Sequence, residues 1–210
     1  MLAFTKEEIA LIKKLNTPEK VQDFLNTIPI NHEVDGVDRI KSPINVLRQN
    51  SAHCIEAAIL AAYILSTHGY KPLILHLETT KDDFEHVIVP FQGEHGLWGA
   101  LSKTNHVILR YRDPVYKNIR ELVMSYFHEY SMENGQKTLR RYSDPMDLRE
   151  FGSDWMLEEG DLWGIDEELG KVPHHDIAPK DVLKNLRNTD PIERESLKAV
   201  EWKIPRTRKA

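Results

Sequence analysis

The sequence predicts an α+β fold with N-terminal helices, a small antiparallel sheet and a helical C-terminal part. Two helix starts stand near the N-terminus: the capping-box spacing of Thr5 to Glu8, and Thr17-Pro18, where proline takes a first-turn position. A longer helix over 52–68 is apolar on nearly every face, which is typical of a helix buried all round. After Gly69 the hydrophobic period becomes that of strands, and their short connections favour antiparallel neighbours.

The predicted elements divide the chain into a core over residues 1–130 and an elaboration over residues 131–210 that packs on it. The core is expected to have helices over 6–15, 18–25, 43–47, 52–68 and 118–127, and strands over 73–77, 86–91, 97–102 and 106–111. The elaboration is expected to have a strand over 138–143 and helices near 180–187 and 191–202. Helices followed by a meander and a further helix define an α+β domain, with the central helix packed on the sheet.

Composition excludes several classes of function. The chain has 210 residues, of which 40% are hydrophobic and 29% charged, so it can bury a sizeable core. Its formal net charge is -5, and no block of lysines and arginines stands before the last few residues, so nucleic acid is not expected as a partner. The one cysteine excludes an intrachain disulfide and a cysteine-rich zinc site.

The sequence also predicts a cytoplasmic protein that does not cross a membrane. The N-terminal residues lack a basic stretch followed by a signal-type apolar run. The longest apolar run, from Ala57 to Leu65, is too short to span a bilayer. A free thiol survives in a reducing compartment, which agrees with this expectation.

Cys54, the single cysteine, stands at the front of the apolar helix over 52–68. Unpaired backbone N–H groups in the first turn of a helix favour the thiolate, which is the nucleophilic form. The alternative is that Cys54 is a small core residue, as a lone cysteine in an apolar helix usually is. The pattern alone leaves both interpretations open.

His86, which opens a predicted strand, is the expected partner of Cys54. A thiol paired with a histidine is the minimum apparatus of a cysteine acyl-transfer enzyme. His53 is nearer in sequence, but adjacent helical residues point apart, so we expect it to be a poor partner. His174-His175-Asp176 is expected to be a surface loop, because neighbours in an extended segment face opposite ways and a metal site needs several convergent ligands.

The order of these features resembles the transglutaminase-like branch of the papain-like cysteine enzymes, including a bacterial group of such domains. The resemblance covers about residues 42–112. It rests on Cys54 opening a buried helix, the turn from Gly69 to Pro72, His86 opening a strand, the strand from Trp98 to Ser102, and the segments Ser102 to His106 and Leu109 to Pro114. The resemblance implies a papain-like core and a cysteine-dependent reaction on an amide or ester.

The resemblance also implies roles for individual residues. Cys54 would be the nucleophile, and His86 the general base and then the general acid. In the family an aspartate commonly follows the tryptophan by four residues, and Ser102 stands there in this chain. Asn105, which could orient a histidine as asparagine does in papain-like sites, is therefore ranked first for the third position, Ser102 second and Asp113 third.

The oxyanion of such a reaction would be stabilised by the backbone N–H of Cys54, with Gln49 or Asn50 as a second donor. The alternative for Gln49 and Asn50 is that they only end the short helix before them. Neither an organic cofactor nor a metal is expected. Calcium, which some crosslinking relatives use, has no loop of spaced acidic ligands here.

Two functions therefore remain open at the level of sequence. The first is an acyl-transfer enzyme that hydrolyses, deamidates or transamidates a peptide or protein substrate through a thioacyl intermediate. The second is an inactive domain of the same fold that binds a peptide or protein. The sequence does not specify an oligomeric state.

Overall fold

The computed structural model describes residues 2–33 and 36–203, and these form an α+β fold around an antiparallel sheet. The helices are α1 (Lys6–Lys14), α2 (Pro18–Thr27), α3 (Pro43–Gln49), α4 (Cys54–Ser66), α5 (Ile119–Met124), α6 (Trp163–Lys171), α7 (Lys180–Lys184) and α8 (Pro191–Leu197). The strands are β1 (Leu73–Glu78), β2 (His86–Gln92), β3 (Trp98–Ser102), β4 (Arg112–Tyr116), β5 (Arg141–Ser143), β6 (Met146–Asp147) and β7 (His174–Asp176).

The sheet has the strand order β4-β3-β2-β1-β5-β7, and β6 pairs with the first part of β1. Each of these pairings is antiparallel. The short connections predict this arrangement for β1, β2 and β3. The register places Leu77 opposite His86 and Ile88 opposite Ser102. The ends of β2 and β3 that carry His86 and Ser102 therefore lie side by side.

The central strands β1, β2 and β3 are buried on both faces of the sheet. Ile74, Val87 and Leu101 belong to the core that surrounds α4. Leu75 and Ile88 belong to a second core under α5 and the residues that follow it. Because residues on both faces are buried, β2 reads as a continuous apolar run rather than an alternating one.

Helix α4 is the buried centre of the first core. Between Ile55 and Leu65, Tyr63 alone is partly exposed. The helix contacts β1, β2 and β3 on one side and α2 and α3 on the other. The sequence-based prediction of a helix buried all round is confirmed.

The capping box at the start of α1 is also confirmed: Thr5 Oγ1 accepts from the Glu8 N–H at 3.1 Å, and the Glu8 carboxylate accepts from the Thr5 N–H at 2.7 Å.

The predicted strand over 106–111 is wrong, because the fourth strand lies at Arg112–Tyr116. The residues before it pair with the C-terminal part of the chain instead of β3. His106 forms an isolated antiparallel bridge with Val200, and the Glu201 N–H donates to the Asn105 carbonyl at 2.9 Å. Leu109 has a φ of 58°, a left-handed conformation that interrupts an extended run.

Residues 131–203 contribute to the same sheet as the earlier part of the chain, through β5, β6 and β7. His174–Asp176 forms strand β7 beside β5, so the prediction of a loop there is wrong. Helix α6 was not predicted from the sequence. None of the helices in the described part of the chain combines the length and the apolar character needed to cross a bilayer.

Gly99 marks the closest approach inside the sheet. A Cβ at this position would stand 2.6 Å from the Arg112 carbonyl oxygen and 2.6 Å from Cζ of Phe91. The pairing of β3 with β4 is also irregular here, with a register shift between Trp98 and Ala100. Glycine is therefore required because neither the backbone of β4 nor the packed ring can move away cheaply.

We expect Gly99→Ala to lower the free energy of unfolding by about 3 kcal/mol, as overpacking of a well-packed core does. The measurement is urea unfolding followed by tryptophan fluorescence. Gly164→Ala is the matched control: it lies in α6 with no atom within 4 Å of its added Cβ, and alanine has the better helix propensity. Equal stability of the two variants would contradict the predicted clash.

Candidate active site

Cys54 is the first residue of α4, as predicted, and is half-buried. The chain is fixed just before it, because the Ala52 N–H donates to the Pro29 carbonyl and the Ala52 carbonyl accepts from the Asn31 N–H, each at 3.1 Å. As the N1 residue of the helix, Cys54 has no intrahelical acceptor for its own backbone N–H. Both its thiol and this N–H are therefore available at the helix start.

His86, the first residue of β2, is buried and lies between Cys54 and Ser102. Its Nε2 stands 2.7 Å from Oγ of Ser102. The thiol of Cys54 interacts with the same imidazole, and Nδ1 is the ring nitrogen that the Ser102 contact leaves for it. The three side chains thus follow one another in a line from α4 through β2 to β3.

The hydrogen bonds of Ser102 fix the tautomer of His86. The Ser102 hydroxyl donates its single hydrogen to the Leu109 carbonyl, which can only accept. Oγ must therefore accept from His86, so the proton of the neutral imidazole stands on Nε2. The lone pair on Nδ1 is then left facing the thiol, as a base for Cys54 requires.

Gln22 of α2 holds the backbone of Ser102 in place. Its Oε1 accepts from the Ser102 N–H at 2.9 Å, and its Nε2 donates to the Ser102 carbonyl at 2.9 Å. Both groups are buried, so the amide of Gln22 replaces the water that would otherwise satisfy this end of β3. Leu109, whose carbonyl completes the arrangement, is itself fixed by its N–H donating to Glu129 at 2.7 Å.

Asn105 does not contact His86, so the prediction that ranks it first for the third catalytic position is wrong. Its Nδ2 donates to the Trp202 carbonyl at 2.9 Å, and its Oδ1 accepts from the Trp202 N–H at 2.7 Å. The C-terminal segment has thus taken both ends of the amide. The position next to His86 belongs to Ser102, the second choice, while Asp113 lies exposed on β4.

The expectation that His53 points away from Cys54 is also wrong. His53 is the N-cap of α4, with φ −93° and ψ −172°, and not a helical residue. Its extended backbone lets the imidazole reach the thiol beside it. Nε2 donates to the Arg39 carbonyl at 2.7 Å, which leaves Nδ1 for Cys54. The imidazoles of both His53 and His86 therefore interact with the thiol.

These contacts stabilise the thiolate. Burial raises the pKa of Cys54, but its hydrogen bonds to His53 and His86 and the charges of both rings outweigh burial and lower the pKa from 9.0 to about 5. Burial lowers the pKa of His53, while its bond to Cys54 and the charge of Glu56 raise it to about 9. Between these two values the pair favours thiolate and imidazolium.

A buried ion pair supports this end of α4. Glu56 is fully buried, and its carboxylate accepts from the backbone N–H of His53 at 2.9 Å and of Lys41 at 3.1 Å. Nζ of Lys41 lies 3.6 Å from the same carboxylate and donates to the Ser51 carbonyl at 2.7 Å. Sequence reasoning missed Glu56, although a single charge within the apolar stretch 55–65 is a signal that could have found it.

Gln49 has no place in this site. It ends α3, is exposed, and is not among the residues that line the cavities at Cys54. Asn50 follows it as a left-handed C-cap with φ 49°. The alternative interpretation, that both residues end the helix before them, is the one that the structure supports.

A cavity of about 430 Å³ opens over Cys54 and His86. Its apolar lining residues include Ile30, Ile108, Leu109, Met132 and Leu197. Phe84 also lines it and is 92% exposed, so this large apolar ring is available to a bound molecule. Leu197 and Lys198, which come just before the residues that pair with Asn105 and His106, also line this cavity.

The described residues bring one group of potential metal ligands together, and it lies beside the thiol rather than around it. Side-chain atoms of Glu33, Asp38 and His53 are within 4.8 Å of one another. Nε2 of His53 is 3.7 Å from the Glu33 carboxylate but already donates to the Arg39 carbonyl. His53 could offer Nε2 to an ion only by giving up that bond.

His174 and His175 point to different neighbours. Nδ1 of His76 lies 3.0 Å from Nε2 of His174, whereas Nε2 of His175 lies 2.7 Å from the Asp144 carboxylate. The expectation that adjacent side chains in this extended segment diverge is therefore met.

Family models and curated proteins were compared with this chain, and none matches. The class that the fold and site define is an α+β protein with a thiol that interacts with two imidazoles at the start of a buried helix.

We expect the alkylation rate of Cys54 by iodoacetamide to be half-maximal near pH 5 and constant above pH 7, because the thiolate is the reacting form. His53→Ala and His86→Ala should each move the midpoint to higher pH. His95→Ala is the control, since His95 is exposed in the turn before β3. Mass spectrometry of the labelled peptide gives the rates. A midpoint near 9 in the unaltered protein would identify Cys54 as an ordinary packed thiol.

Proposed function

We propose that this chain is a cysteine-dependent acyl-transfer enzyme with a papain-like, transglutaminase-like core. The observation that carries the proposal is the line of Cys54, His86 and Ser102, of which Cys54 and His86 line a cavity, with the tautomer of His86 fixed so that Nδ1 faces the thiol. A nucleophile, a base in reach of it and a group that orients the base are the recognisable parts of such a site. The sequence resemblance to that branch of enzymes supports the same assignment.

In the proposed reaction, Nδ1 of His86 takes the proton of the Cys54 thiol, and the resulting thiolate attacks the carbonyl carbon of an amide or ester. A carbon–sulfur bond forms, and the π electrons of the carbonyl move to its oxygen, near the backbone N–H of Cys54. When the intermediate collapses, the carbon–nitrogen or carbon–oxygen bond breaks and protonated His86 gives its Nδ1 proton to the leaving group. A thioacyl-enzyme remains.

The second half of the reaction returns the enzyme to its starting state. Water or an amine attacks the thioacyl carbon while Nδ1 of His86 takes the proton from the attacking group. The carbon–sulfur bond then breaks, and the electron pair returns to sulfur as thiolate. We propose a peptide or protein as substrate, because the cavity presents apolar side chains next to the thiol and is open to an extended chain at exposed Phe84.

The second candidate is a non-catalytic domain that binds a peptide in the same cavity. One observation favours it: the group next to His86 is a serine bonded to a backbone carbonyl, and it carries no charge to stabilise imidazolium. In that case the cavity would retain its ligand without forming a covalent bond to Cys54.

We expect Cys54→Ala to abolish turnover of activated esters and of glutamine-containing peptides, by several powers of ten. Because alanine removes little volume, its cost in the free energy of unfolding should be about 1–2 kcal/mol. Turnover and melting temperature are measured on the same preparations. Ser66→Ala at the other end of α4 is the control, and it should retain activity.

Covalent labelling makes this test independent of the natural substrate. An activated ester should leave its acyl group on the Cys54 peptide of the unaltered protein, as seen by mass spectrometry, and on no peptide of Cys54→Ala. A folded protein that binds glutamine-containing peptides but is never acylated would favour the binding domain.

Ser102→Ala should slow turnover by about tenfold to a hundredfold, since it removes the acceptor that orients His86. It should also cost about 1–3 kcal/mol of stability, because His86 Nε2 and the Leu109 carbonyl lose a partner.

Ser143→Ala is the matched control for Ser102→Ala. Ser143 is another fully buried serine of the sheet, and its Oγ accepts from the His76 N–H at 2.9 Å. It should lose similar stability without slowing turnover. Equal turnover in both variants would remove Ser102 from the mechanism.

A further inference from the structure

Tyr130 has a buried hydroxyl that the fold does not use. The residue is 3% exposed, and its hydroxyl has no hydrogen-bond partner among the described residues. Burying a polar group without a partner costs free energy, so such a group calls for an explanation. Tyr130 lines the same cavity as Cys54 and His86, which makes a bound molecule the natural partner.

The position of Tyr130 is fixed from both sides. Its N–H donates to the Tyr126 carbonyl at 3.2 Å, and its carbonyl accepts from the Thr138 N–H at 3.0 Å. The ring packs in the second core with Ile88 and Leu139. The phenol therefore cannot readily turn away to find another partner.

The surroundings keep this phenol protonated. Burial raises its pKa well above the ordinary value, and the charges of Cys54 and Asp83 raise the pKa further. The Tyr130 side chain shares its cavity with the thiol of Cys54 and the imidazole of His86. A neutral phenol in this place keeps its O–H and can donate a hydrogen bond.

Tyr126, in the same segment, is a buried tyrosine whose hydroxyl does have a hydrogen-bond partner. It is fully buried, and its hydroxyl donates to the Arg110 carbonyl at 3.1 Å. It does not line the cavity. The two residues thus differ in whether the fold itself supplies an acceptor.

We propose that the Tyr130 hydroxyl donates a hydrogen bond to the oxygen of the carbonyl that Cys54 attacks, as the second donor beside the Cys54 N–H. The inference rests on the proposed acyl-transfer function and assigns to Tyr130 the place that Gln49 was expected to take. In the free protein, a donor for this oxygen must lie near the Cys54 sulfur and have no partner of its own, because the oxygen arrives only with the substrate. The bond is strongest when the oxygen carries the charge of the tetrahedral intermediate, and the phenol proton stays on Tyr130 throughout.

Tyr130→Phe tests the proposal because it removes the hydroxyl alone. Acylation of Cys54 by an activated ester should slow by about 10²–10³-fold, the usual effect of losing one oxyanion donor. Alkylation by iodoacetamide should keep its rate, because displacement at a saturated carbon forms no oxyanion. The melting temperature should stay equal or rise, since the hydroxyl has no partner to lose.

Tyr126→Phe is the matched control and should behave in the opposite way. It loses the bond to the Arg110 carbonyl, so its melting temperature should fall, while acylation and alkylation keep their rates. A peptide aldehyde gives an independent reading, because its hemithioacetal with Cys54 carries the same oxygen. Its affinity should fall in Tyr130→Phe and stay unchanged in Tyr126→Phe.

The outcomes separate this proposal from the function on which it rests. If the unaltered protein is acylated at Cys54 and Tyr130→Phe is acylated equally fast, the role of Tyr130 is overturned and the acyl-transfer function stands. If Tyr130→Phe slows acylation and alkylation together, Tyr130 acts on the thiol and not on the oxyanion, which also overturns the proposal. If the unaltered protein is never acylated, the proposed function fails and the role of Tyr130 fails with it.

Discussion

The buried carboxylate of Glu56 is the constraint on which the N-terminal end of α4 depends. Buried backbone groups in the segments that lead into an apolar helix need hydrogen-bond partners inside the protein. Glu56 meets this need by accepting from the backbone N–H groups of His53 and Lys41 and from Asn31 Nδ2 at 3.4 Å. These partners come from the two segments that lead into the helix, so one carboxylate fixes both of them. Cys54 then stands at a helix start that is held rigid from within the core, and removing one partner of such a buried ion pair is strongly destabilising.

The parts of the site that local signals specify could be predicted from the sequence. The apolar pattern of α4 places Cys54 at a helix start, and the short apolar run over 86–91 places His86 at the start of a strand. The antiparallel order of β1, β2 and β3 follows from their short connections, and it brings His86 next to β3. Each of these steps uses residues that are close together in the chain, which is where patterns of hydrophobicity and turn chemistry are informative.

The rest depends on contacts between distant residues or on the exact end of an element. The sequence favours Asn105 over Ser102 because an asparagine can orient a histidine. Nothing near Asn105 in sequence shows that Trp202, 97 positions later, takes both ends of its amide. The same C-terminal pairing removes 106–111 from the sheet. For His53 the error is one residue in the helix boundary: as an N-cap it is extended and reaches the thiol, whereas as a helical residue it would point away. Helix ends are the least certain part of any such prediction.

The two imidazoles at Cys54 explain how an uncharged third group can suffice in the proposed reaction. In a site with one histidine, the imidazolium that balances the thiolate needs a carboxylate partner, and Ser102 cannot supply that charge. In this chain the balancing charge falls to His53, whose Nε2 lies 3.7 Å from the carboxylate of Glu56 and whose pKa the thiolate and Glu56 raise against the effect of burial. His86 is then free to carry protons to and from the substrate, and it needs only to be oriented. A serine that donates to a backbone carbonyl and accepts from Nε2 does this, because its single hydrogen admits one arrangement. The serine at position 102 and the approach of His53 to the thiol are therefore connected. In the proposed reaction His53 balances the charge of the thiolate, and His86 transfers the protons.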